Sequence, residues 1–304
     1  MSSPAGETLP YRAVETPHGY RTVTPLPSEK ELQEFYSNVY FQQVPTATYQ
    51  HEYDGEELAH KRLRAELIVD VARRHLGRGL QNPSLLDVGF GEGFELAAAQ
   101  NAGFLARGVD FGLDGLKRCN PTLERIVEAG DPLDELRKFA AGGVRFDVCV
   151  LKHVLEHVRD PQAVLALVVA ILSANGVAAI TVPNDYSALQ AELLKRGAVE
   201  SEYWFAPPQH LQYFNGDNFP AFAAAAGCEV VDLVGDFPIE LYLFHPGSSY
   251  ARDRGNGPAA HKARVAIDLF LARQGLERYA DLCRALLVAG LSRTMTAYLR
   301  PLQR

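Results

Sequence analysis

The feature that most constrains the fold of this chain is a glycine-rich turn that directly follows a short apolar stretch. Residues 84–94 read SLLDVGFGEGF. Glycine adopts positive φ readily and lets a ligand approach the backbone closely. In open α/β sheets, ligands bind at the carboxyl ends of the strands, where turns of this kind lie. The sequence therefore predicts an α/β fold with a ligand at this turn.

The segments after this turn alternate between strand-like and helix-like patterns. LARGVDF, ERIVEAGD, FDVCVLK and VAAITVP are predicted strands, and EVVDLVG and TMTAYL follow nearer the carboxyl terminus. Between the fourth and fifth strands, a helix is predicted to begin at Asp160-Pro161 and to end at Asn175-Gly176. Ser28 and Glu31 have the spacing of a capping box, after an extended or loosely ordered arm of about 25 residues. Such alternation predicts a parallel sheet covered by helices on both faces.

Two acids end successive predicted strands beside the glycine turn. Asp110 ends the second strand, where a carboxylate can accept hydrogen bonds from ribose hydroxyls, and Asp131 ends the third, within reach of an adenine amino group. An acid after a strand is also often a turn former or a helix N-cap. The fingerprint of nicotinamide dinucleotide sites would need glycine at position 94, where this chain has Phe94. A nicotinamide cofactor is therefore disfavoured but stays an alternative.

Composition narrows the class of partner. The formal net charge of −7 argues against a nucleic acid as the partner. Four cysteines without a C-x-x-C pair argue against a zinc site or a disulfide framework and predict a cytoplasmic location. No secretory signal is visible, and the longest apolar run, residues 163–174, is too short for a membrane span and predicts a buried helix. The sequence favours a small-molecule partner and leaves the oligomeric state open, a homodimer included.

Two long stretches together resemble one enzyme family. LLDVGFGEGFELAAAQNAGFLARGVDF resembles the first two motifs of class I S-adenosylmethionine-dependent methyltransferases, and residues 146–184 resemble their fourth-strand and fifth-strand motifs. PQHLQYF, residues 208–214, resembles a segment of the small-molecule branch, which includes quinone-biosynthesis and sugar-modifying enzymes. The resemblance covers roughly residues 60–235. It departs from the family at Phe90, where a small residue is usual.

The resemblance implies a Rossmann-like fold and an organisation of the chain. The expected sheet has seven mostly parallel strands with the last one antiparallel, an N-terminal helical lid and a C-terminal helical insertion. Residues 1–55 would form the arm and lid, 56–245 the cofactor-binding core, 246–291 the insertion at the acceptor site, and 292–304 the last strand.

The resemblance also implies the cofactor and the residues around it. S-adenosylmethionine would be the methyl donor and S-adenosylhomocysteine the product. Its expected contacts surround the glycine turn and the ends of the next strands: Asp87, Gly89, Phe90, Gly91, Gly93, Asp110, Phe111, Asp131, Lys152 and His153. No metal is expected, because related metal-dependent enzymes place an acid directly after the fourth strand, and this chain has Lys152 there.

Methyl transfer mainly requires that the acceptor atom be held at attack distance and that water be excluded. An amine acceptor must be neutral, and a hydroxyl acceptor needs a general base, most often histidine. His153, His157 and His210 are the candidates, although His157 also suits a turn-stabilising role and His210 a loop anchor. The predicted acceptor contacts are mostly aromatic: Tyr36, Tyr40, Asn184, Trp204, Tyr213, Tyr250 and Arg252.

The sequence thus predicts O- or N-methylation of a small polar metabolite, with a sugar or nucleotide-linked sugar favoured. Two alternatives stay open. One is a nicotinamide-dependent oxidoreductase, which shares the sheet and the ribose-binding acid. The other is a cofactor-binding subunit without catalysis, which the bulk of Phe90 suggests.

Overall fold

The computed structural model describes residues 11–35, 52–77 and 79–302. These residues form ten strands: β1 (Arg12–Glu15), β2 (Arg21–Thr24), β3 (Ser84–Val88), β4 (Leu105–Asp110), β5 (Val127–Ala129), β6 (Phe146–Lys152), β7 (Leu172–Pro183), β8 (Gln212–Tyr213), β9 (Cys228–Val234) and β10 (Thr294–Pro301). Their helices are α1 (Glu29–Phe35), α2 (Gly55–Arg74), α3 (Phe94–Asn101), α4 (Asp114–Cys119), α5 (Pro132–Ala141), α6 (Pro161–Ile171), α7 (Ala188–Lys195), α8 (Phe219–Ala225), α9 (Gly257–Arg273) and α10 (Leu276–Val288). Within this part of the chain, no helix has both the length and the apolarity needed to cross a membrane.

A seven-stranded sheet forms the centre of the fold, in the order β5-β4-β3-β6-β7-β10-β9. β10 runs antiparallel to both of its neighbours, and the other paired strands run parallel. The predicted mostly parallel sheet with an antiparallel last strand is therefore confirmed. Its direction places the ends of β3 to β7 and the start of β10 along one edge, which we call the carboxyl edge.

Helices cover both faces of this sheet. α5, α6 and α8 pack on one face, in a cluster that includes Leu86 and Phe222. α2, α3 and α10 pack on the other face, with Leu85 and Tyr279 in the same cluster. Consecutive residues of β3 thus serve opposite faces, which explains why this strand is an unbroken apolar run rather than an alternating one.

The described part of the N-terminal arm is extended and ordered. β1 and β2 form an antiparallel hairpin, and β2 also pairs with β8. Tyr20 stacks on Phe214 with ring centroids 4.9 Å apart, which anchors the hairpin to the core. From residue 11 onward, the chain therefore follows the extended form of the prediction rather than the loosely ordered one. The predicted capping box is present: Glu31 N–H donates to Ser28 Oγ at 3.2 Å, and Ser28 N–H donates to Glu31 Oε2 at 2.7 Å.

The helix predicted to reach Asn175-Gly176 ends earlier, at Ile171. Leu172 already pairs with Phe146 as the start of β7, and Ser173 Oγ donates to Asp147 Oδ1 at 2.9 Å. A Cβ on Gly176 would lie 3.1 Å from the Phe146 carbonyl oxygen. Glycine is therefore needed there for close strand contact and does not end a helix. The apolar run that predicted one buried helix is divided between α6 and β7.

The predicted insertion, residues 246–291, contains α9 and α10 and is largely helical. The proposed boundaries of the lid, core and insertion stay predictions. Tyr36 and Tyr40 lie outside the described residues.

Phe90 packs beneath the glycine turn rather than in its mouth. The side chain is 3% exposed and clusters with Leu96, Leu116 and Leu123. The ring is accommodated by Gly108 on β4, because a Cβ there would lie 2.8 Å from the ring. A large residue in the turn is thus matched by a missing side chain on the neighbouring strand.

This packing predicts coupled stability effects. Gly108→Ala should cost about 1–3 kcal/mol by overpacking, and Phe90→Ala about 3–5 kcal/mol by leaving a cavity. The double variant should cost clearly less than the sum, because the smaller residue at 90 makes room for the methyl group. Urea unfolding measures all three, with Gly77→Ala as the control because no atom lies within 4 Å of its added Cβ. Strict additivity would contradict the packing.

Candidate active site

The glycine turn has the conformation that its sequence predicts. Gly89, Gly91 and Gly93 have φ values of 76°, 53° and 77°, which side chains rarely adopt. A Cβ on Gly89 would also lie 2.7 Å from Val154 Cγ2, and one on Gly93 would lie 2.9 Å from Leu116 Cδ1. The turn is therefore kept free of side chains by both backbone conformation and neighbours.

Asp110 joins this turn to the end of β4. Its Oδ2 accepts from the Gly91 N–H at 2.7 Å, and Oδ1 has a longer contact of 3.4 Å with the Gly112 N–H. Burial raises the pKa of Asp110, and the backbone N–H groups of Gly91, Gly112 and Phe111 oppose part of that rise. The next side chain, Phe111, is 64% exposed. A carboxylate oxygen and an open aromatic face thus lie side by side next to the glycine turn.

Asp131 is the N-cap of α5. Its Oδ1 accepts from the N–H groups of Leu133 at 2.8 Å and Asp134 at 3.3 Å. The Gly130 N–H donates to the Asp110 carbonyl oxygen at 2.8 Å, so the two predicted acids lie on adjoining strand ends. The helix-cap interpretation describes what this carboxylate does in the fold, and its contact with adenine stays a prediction.

Under the turn, two acids share one lysine. Asp87 is 1% exposed, and its pKa is raised well above the ordinary value by burial and by the charge of Glu95, with Lys152 opposing the rise. Lys152 Nζ lies 2.5 Å from Glu95 Oε1. Lys152, the last residue of the fourth core strand, therefore pairs with Glu95 and lowers the pKa of the nearby Asp87.

His153 and Glu156 form a pair at the end of β6. His153 has a φ of 56°, unusual for a residue with a side chain, and its N–H donates to the Thr181 carbonyl oxygen at 2.9 Å. Its Nδ1 lies 2.9 Å from Glu156 Oε1. The Glu156 side chain is 1% exposed and that of His153 42%. The carboxylate therefore orients an imidazole that remains accessible.

Electrostatics keep Glu156 ionised. Burial alone would raise its pKa, but the hydrogen bond from His153 and the charges of His157, His153 and His210 lower the pKa to about 2. The ionised carboxylate accepts from Nδ1–H of His153, so in the tautomer with a single ring proton Nε2 is the acceptor.

His157 and His210 lie next to this pair. His157 Nδ1 is 2.7 Å from the Gln209 carbonyl oxygen, so Nδ1–H donates and ties the 3-10 turn at 155–157 to the following loop. The His210 ring centroid is 5.0 Å from that of His157. Burial, followed by the charge of His157, lowers the pKa of His210 to about 4. His210 is therefore uncharged at neutral pH and a weak base.

A possible metal site among these residues was not predicted from the sequence. Glu156, His157 and His210 each present a potential metal-ligand atom within 4.8 Å of the others. The adjacent Glu156-His157 pair and the histidine of PQHLQYF were visible as residue types, but nothing in their spacing of more than 50 residues placed them together. The expectation of no metal stays a prediction.

The predicted acceptor residues are mostly packed into the fold. Asn184 donates to the Ser292 carbonyl oxygen at 2.7 Å and accepts from the Gly216 N–H at 3.1 Å. Trp204 and Tyr213 are 3% and 1% exposed, and the Tyr213 hydroxyl donates to the His210 carbonyl oxygen at 2.9 Å. Asn184 thus ties the end of β7 to residues 216 and 292, while Tyr213 holds the loop that carries His210, and direct contact of these side chains with an acceptor stays a prediction.

Tyr250 and Arg252 are placed differently. Tyr250 is partly buried, and burial raises the pKa of its hydroxyl. The charge of Glu240 raises this pKa further, whereas the charges of Arg293 and Arg264 lower it. Arg252 is exposed on the surface. Of the two, only Tyr250 lies among the buried charges at the carboxyl edge.

A buried ionic cluster at the start of β10 was not predicted. Arg293 Nη1 lies 2.5 Å from Asp185 Oδ1, and its Nε lies 3.4 Å from Glu240 Oε1. Tyr203 donates to the same Glu240 oxygen. Burial raises the pKa of Asp185 to about 6 although Arg293 opposes the rise. The contacting pairs in this cluster are 37 to 108 positions apart, and no local pattern joins them.

The sequence matches a family model described as "Methyltransferase domain" over residues 49–233. A ubiquinone biosynthesis O-methyltransferase of Caulobacter sp. (strain K31) is 30% identical over 159 residues, which are 51% of this chain and 62% of that protein. The matched region thus spans less than two thirds of that relative's length.

A solved structure with the same fold is the Burkholderia thailandensis 1,6-didemethyltoxoflavin-N1-methyltransferase, with bound 1,6-didemethyltoxoflavin and S-adenosylhomocysteine. It is 14% identical, with a TM-score of 0.50, and the alignment covers 97% of this chain and all of that chain. The family match covers well over half of the sequence and includes the glycine turn, Asp110 and the His153–Glu156 pair. This chain therefore belongs to the methyltransferase domain family.

Proposed function

We propose that this protein transfers a methyl group from S-adenosylmethionine to an oxygen or nitrogen atom of a small polar metabolite. The observation that carries the proposal is the His153–Glu156 pair, which directly follows β6 beside the glycine turn. Val154, the next residue, contacts Gly89 so closely that no Cβ fits between them. A general base and the predicted cofactor turn are thus immediate neighbours.

The described residues fit this cofactor. The turn is free of side chains, Asp110 Oδ1 has room to accept from a ribose hydroxyl, and Phe111 offers an open aromatic face to adenine. When bound, S-adenosylmethionine supplies a methyl group on a positively charged sulfur. The Caulobacter relative and the toxoflavin enzyme, by their names, methylate oxygen and nitrogen respectively.

The His153–Glu156 pair suits a hydroxyl acceptor. Removing a hydroxyl proton as the oxygen attacks requires a base within hydrogen-bond reach. Nε2 of His153 is available for that proton, and Glu156 holds the ring and would stabilise the imidazolium that forms. His210 is a poorer base, because its pKa of about 4 provides little driving force for proton removal at neutral pH.

O-methylation is therefore favoured over N-methylation in our proposal. A sugar remains the acceptor class that we predict, since a sugar presents several hydroxyls to such a base. The nucleotide-linked form has less support, because Arg252, its predicted contact, is exposed on the surface.

The two alternatives have lost their supporting features. The methyltransferase domain match leaves no reason to favour a nicotinamide-dependent oxidoreductase. The suggestion of a non-catalytic subunit rested on Phe90, whose ring packs beneath the turn and does not fill it.

Cofactor binding gives the first test. Asp110→Ala should weaken S-adenosylhomocysteine binding about tenfold or more, because a charge-assisted hydrogen bond to ribose is lost. Phe111→Ala should weaken it by several-fold without changing stability, since the ring is mostly exposed. Calorimetric titration measures both, with the exposed Asp217→Ala as the control. Equal affinity in all variants would remove Asp110 and Phe111 from the site.

Turnover gives the second test. His153→Asn should lower kcat about 100-fold or more while changing S-adenosylhomocysteine affinity less than threefold, because the lost group is a base. Asparagine is chosen because it tolerates positive φ. Glu156→Gln should also lower kcat, and the double variant should be no worse than His153→Asn, since the two residues act as a unit. S-adenosylhomocysteine formation is followed over a panel of sugars and catechols. The assignment would be wrong if His210→Asn abolished turnover and His153→Asn did not.

Chelation tests the expectation that no metal takes part. Turnover should be unchanged after dialysis against EDTA, because the proposed proton transfer to His153 needs no metal. Loss of activity that Zn²⁺ or Mg²⁺ restores would instead assign Glu156, His157 and His210 as metal ligands.

A further inference from the structure

A group of polar side chains lies where α2 contacts α9. The proposed role of His153 as a base in methyl transfer does not explain this group. Arg64 and His60 belong to α2, and Arg264 and His261 to α9. We call Arg64 and Arg264 the arginine pair. Each has a buried N–H without a hydrogen-bond partner in the described part of the chain: Nη1 of Arg64 and Nε of Arg264. An unsatisfied buried donor costs free energy, so a missing acceptor is indicated.

Arg64 is fixed toward the carboxyl edge. Its Nη2 donates to Thr294 Oγ1 at 3.3 Å, at the start of β10. Its nearest carboxylate oxygen, Oδ2 of Asp236, is 3.9 Å away, too far for a hydrogen bond. The other Asp236 oxygen already accepts from the N–H groups of Arg293 and Thr294 at 2.8 and 2.9 Å. Asp236 therefore leaves the donors of Arg64 largely unused.

Arg264 is oriented through a histidine. Its Nη2 donates to His261 Nδ1 at 2.9 Å, and because Nδ1 accepts, Nε2–H of His261 donates to Glu57 Oε2 at 2.7 Å. Among the described residues, Arg264 has no carboxylate oxygen within 4 Å. Glu57 and His261 thus hold the guanidinium in place while its charge stays unpaired.

The rings of His60 and His261 meet where α2 contacts α9, with their centroids 6.4 Å apart. Burial lowers the pKa of His60, and the charges of Arg264 and Arg64 lower it further, against the effect of Asp268. His60 lies 2.8 Å from Asp268 Oδ2, and the Tyr279 hydroxyl donates to Asp268 Oδ1 at 2.8 Å. Both oxygens of Asp268 are therefore occupied, and this acid does not pair with either arginine.

Hydrogen bonds along the carboxyl edge connect Arg64 to the predicted base. Thr294, which accepts from Arg64, begins β10, and two residues later Thr296 Oγ1 lies 2.8 Å from Thr181 Oγ1 on β7. The Thr181 carbonyl oxygen accepts from the His153 N–H at 2.9 Å. Arg64 and the His153–Glu156 pair thus lie at the same edge of the sheet.

We propose that Arg64 and Arg264 bind a carboxylate group of the methyl acceptor, so that the substrate is a hydroxylated carboxylic acid such as a sugar acid. This rests on the proposed methyl transfer at the same site. Guanidinium groups match the planar geometry of a carboxylate. Asp236, Asp268 and Glu57 lie close by, so a singly charged carboxylate fits better than a phosphate dianion, which they would repel more strongly.

The test uses the whole 304-residue chain saturated with S-adenosylhomocysteine. Calorimetric titration measures the affinity for benzoate, and thermal unfolding measures how benzoate shifts the melting temperature. Benzamide serves as the neutral analogue and phenyl phosphate as the dianion. Benzoate should stabilise the complex in a saturable manner and benzamide should not, because a ligand stabilises the state that binds it. Arg64→Gln and Arg264→Gln should each weaken benzoate binding about tenfold or more while leaving the affinity for S-adenosylhomocysteine unchanged.

Exposed arginines on the same helices provide matched controls. Arg62→Gln on α2 and Arg273→Gln on α9 remove the same charge and should leave benzoate affinity unchanged. Arg64→Lys keeps the positive charge but loses the planar guanidinium, so its benzoate affinity should lie between those of wild type and Arg64→Gln. This variant also tests the proposal if Arg64→Gln does not fold. Equal losses in the control variants, or equal binding of benzoate and benzamide, would overturn the proposal. Tighter binding of phenyl phosphate than of benzoate would overturn the carboxylate assignment. If wild type fails to bind S-adenosylhomocysteine, the proposed function itself is wrong.

Discussion

The hydrogen bond from the Gly91 N–H to Asp110 Oδ2, 2.7 Å long, is the contact on which the candidate site depends. It joins the turn after β3 to the end of β4, and these neighbouring parallel strands bring both to the carboxyl edge. The Gly89 N–H also joins the turn to β4 by donating to the Val109 carbonyl oxygen at 2.8 Å, but only the Gly91 bond joins the turn to the acid itself. Without it, Asp110 would be buried with one fewer donor. The same bond thus shapes the turn and stabilises the carboxylate.

Features that depend on nearby residues could be predicted from the sequence. Only a few neighbouring residues define the glycine turn, the capping box at Ser28 and the acid at the end of β4. The alternation of predicted strands and helices in turn indicates the parallel sheet. The end of α6 was missed because Asn175-Gly176 looks like a helix stop, whereas Gly176 serves a contact with Phe146, 30 positions earlier in the chain. Arg64 and Thr294 are 230 positions apart, and no local pattern could have joined them.

Phe90 shows why an unusual residue in a motif need not mean lost function. Its ring would narrow the cofactor turn only if it pointed into it, and Gly108 gives it room below. The two positions are 18 residues apart on neighbouring segments of the sheet. The departure from the family pattern was visible in the sequence, but the glycine that accommodates it had no recognisable significance until the strands were paired.

Burial separates the roles of the three histidines, for each of which the sequence left more than one role open. His210 is enclosed among charged neighbours, so its protonated form is disfavoured and it cannot drive removal of a hydroxyl proton at neutral pH. His157 uses Nδ1–H to hold the loop at Gln209. His153 alone combines an accessible ring with a buried, ionised carboxylate behind it, and it adopts a positive φ to do so. Because such a backbone conformation costs free energy, its presence at the end of β6 supports a role in chemistry rather than in folding.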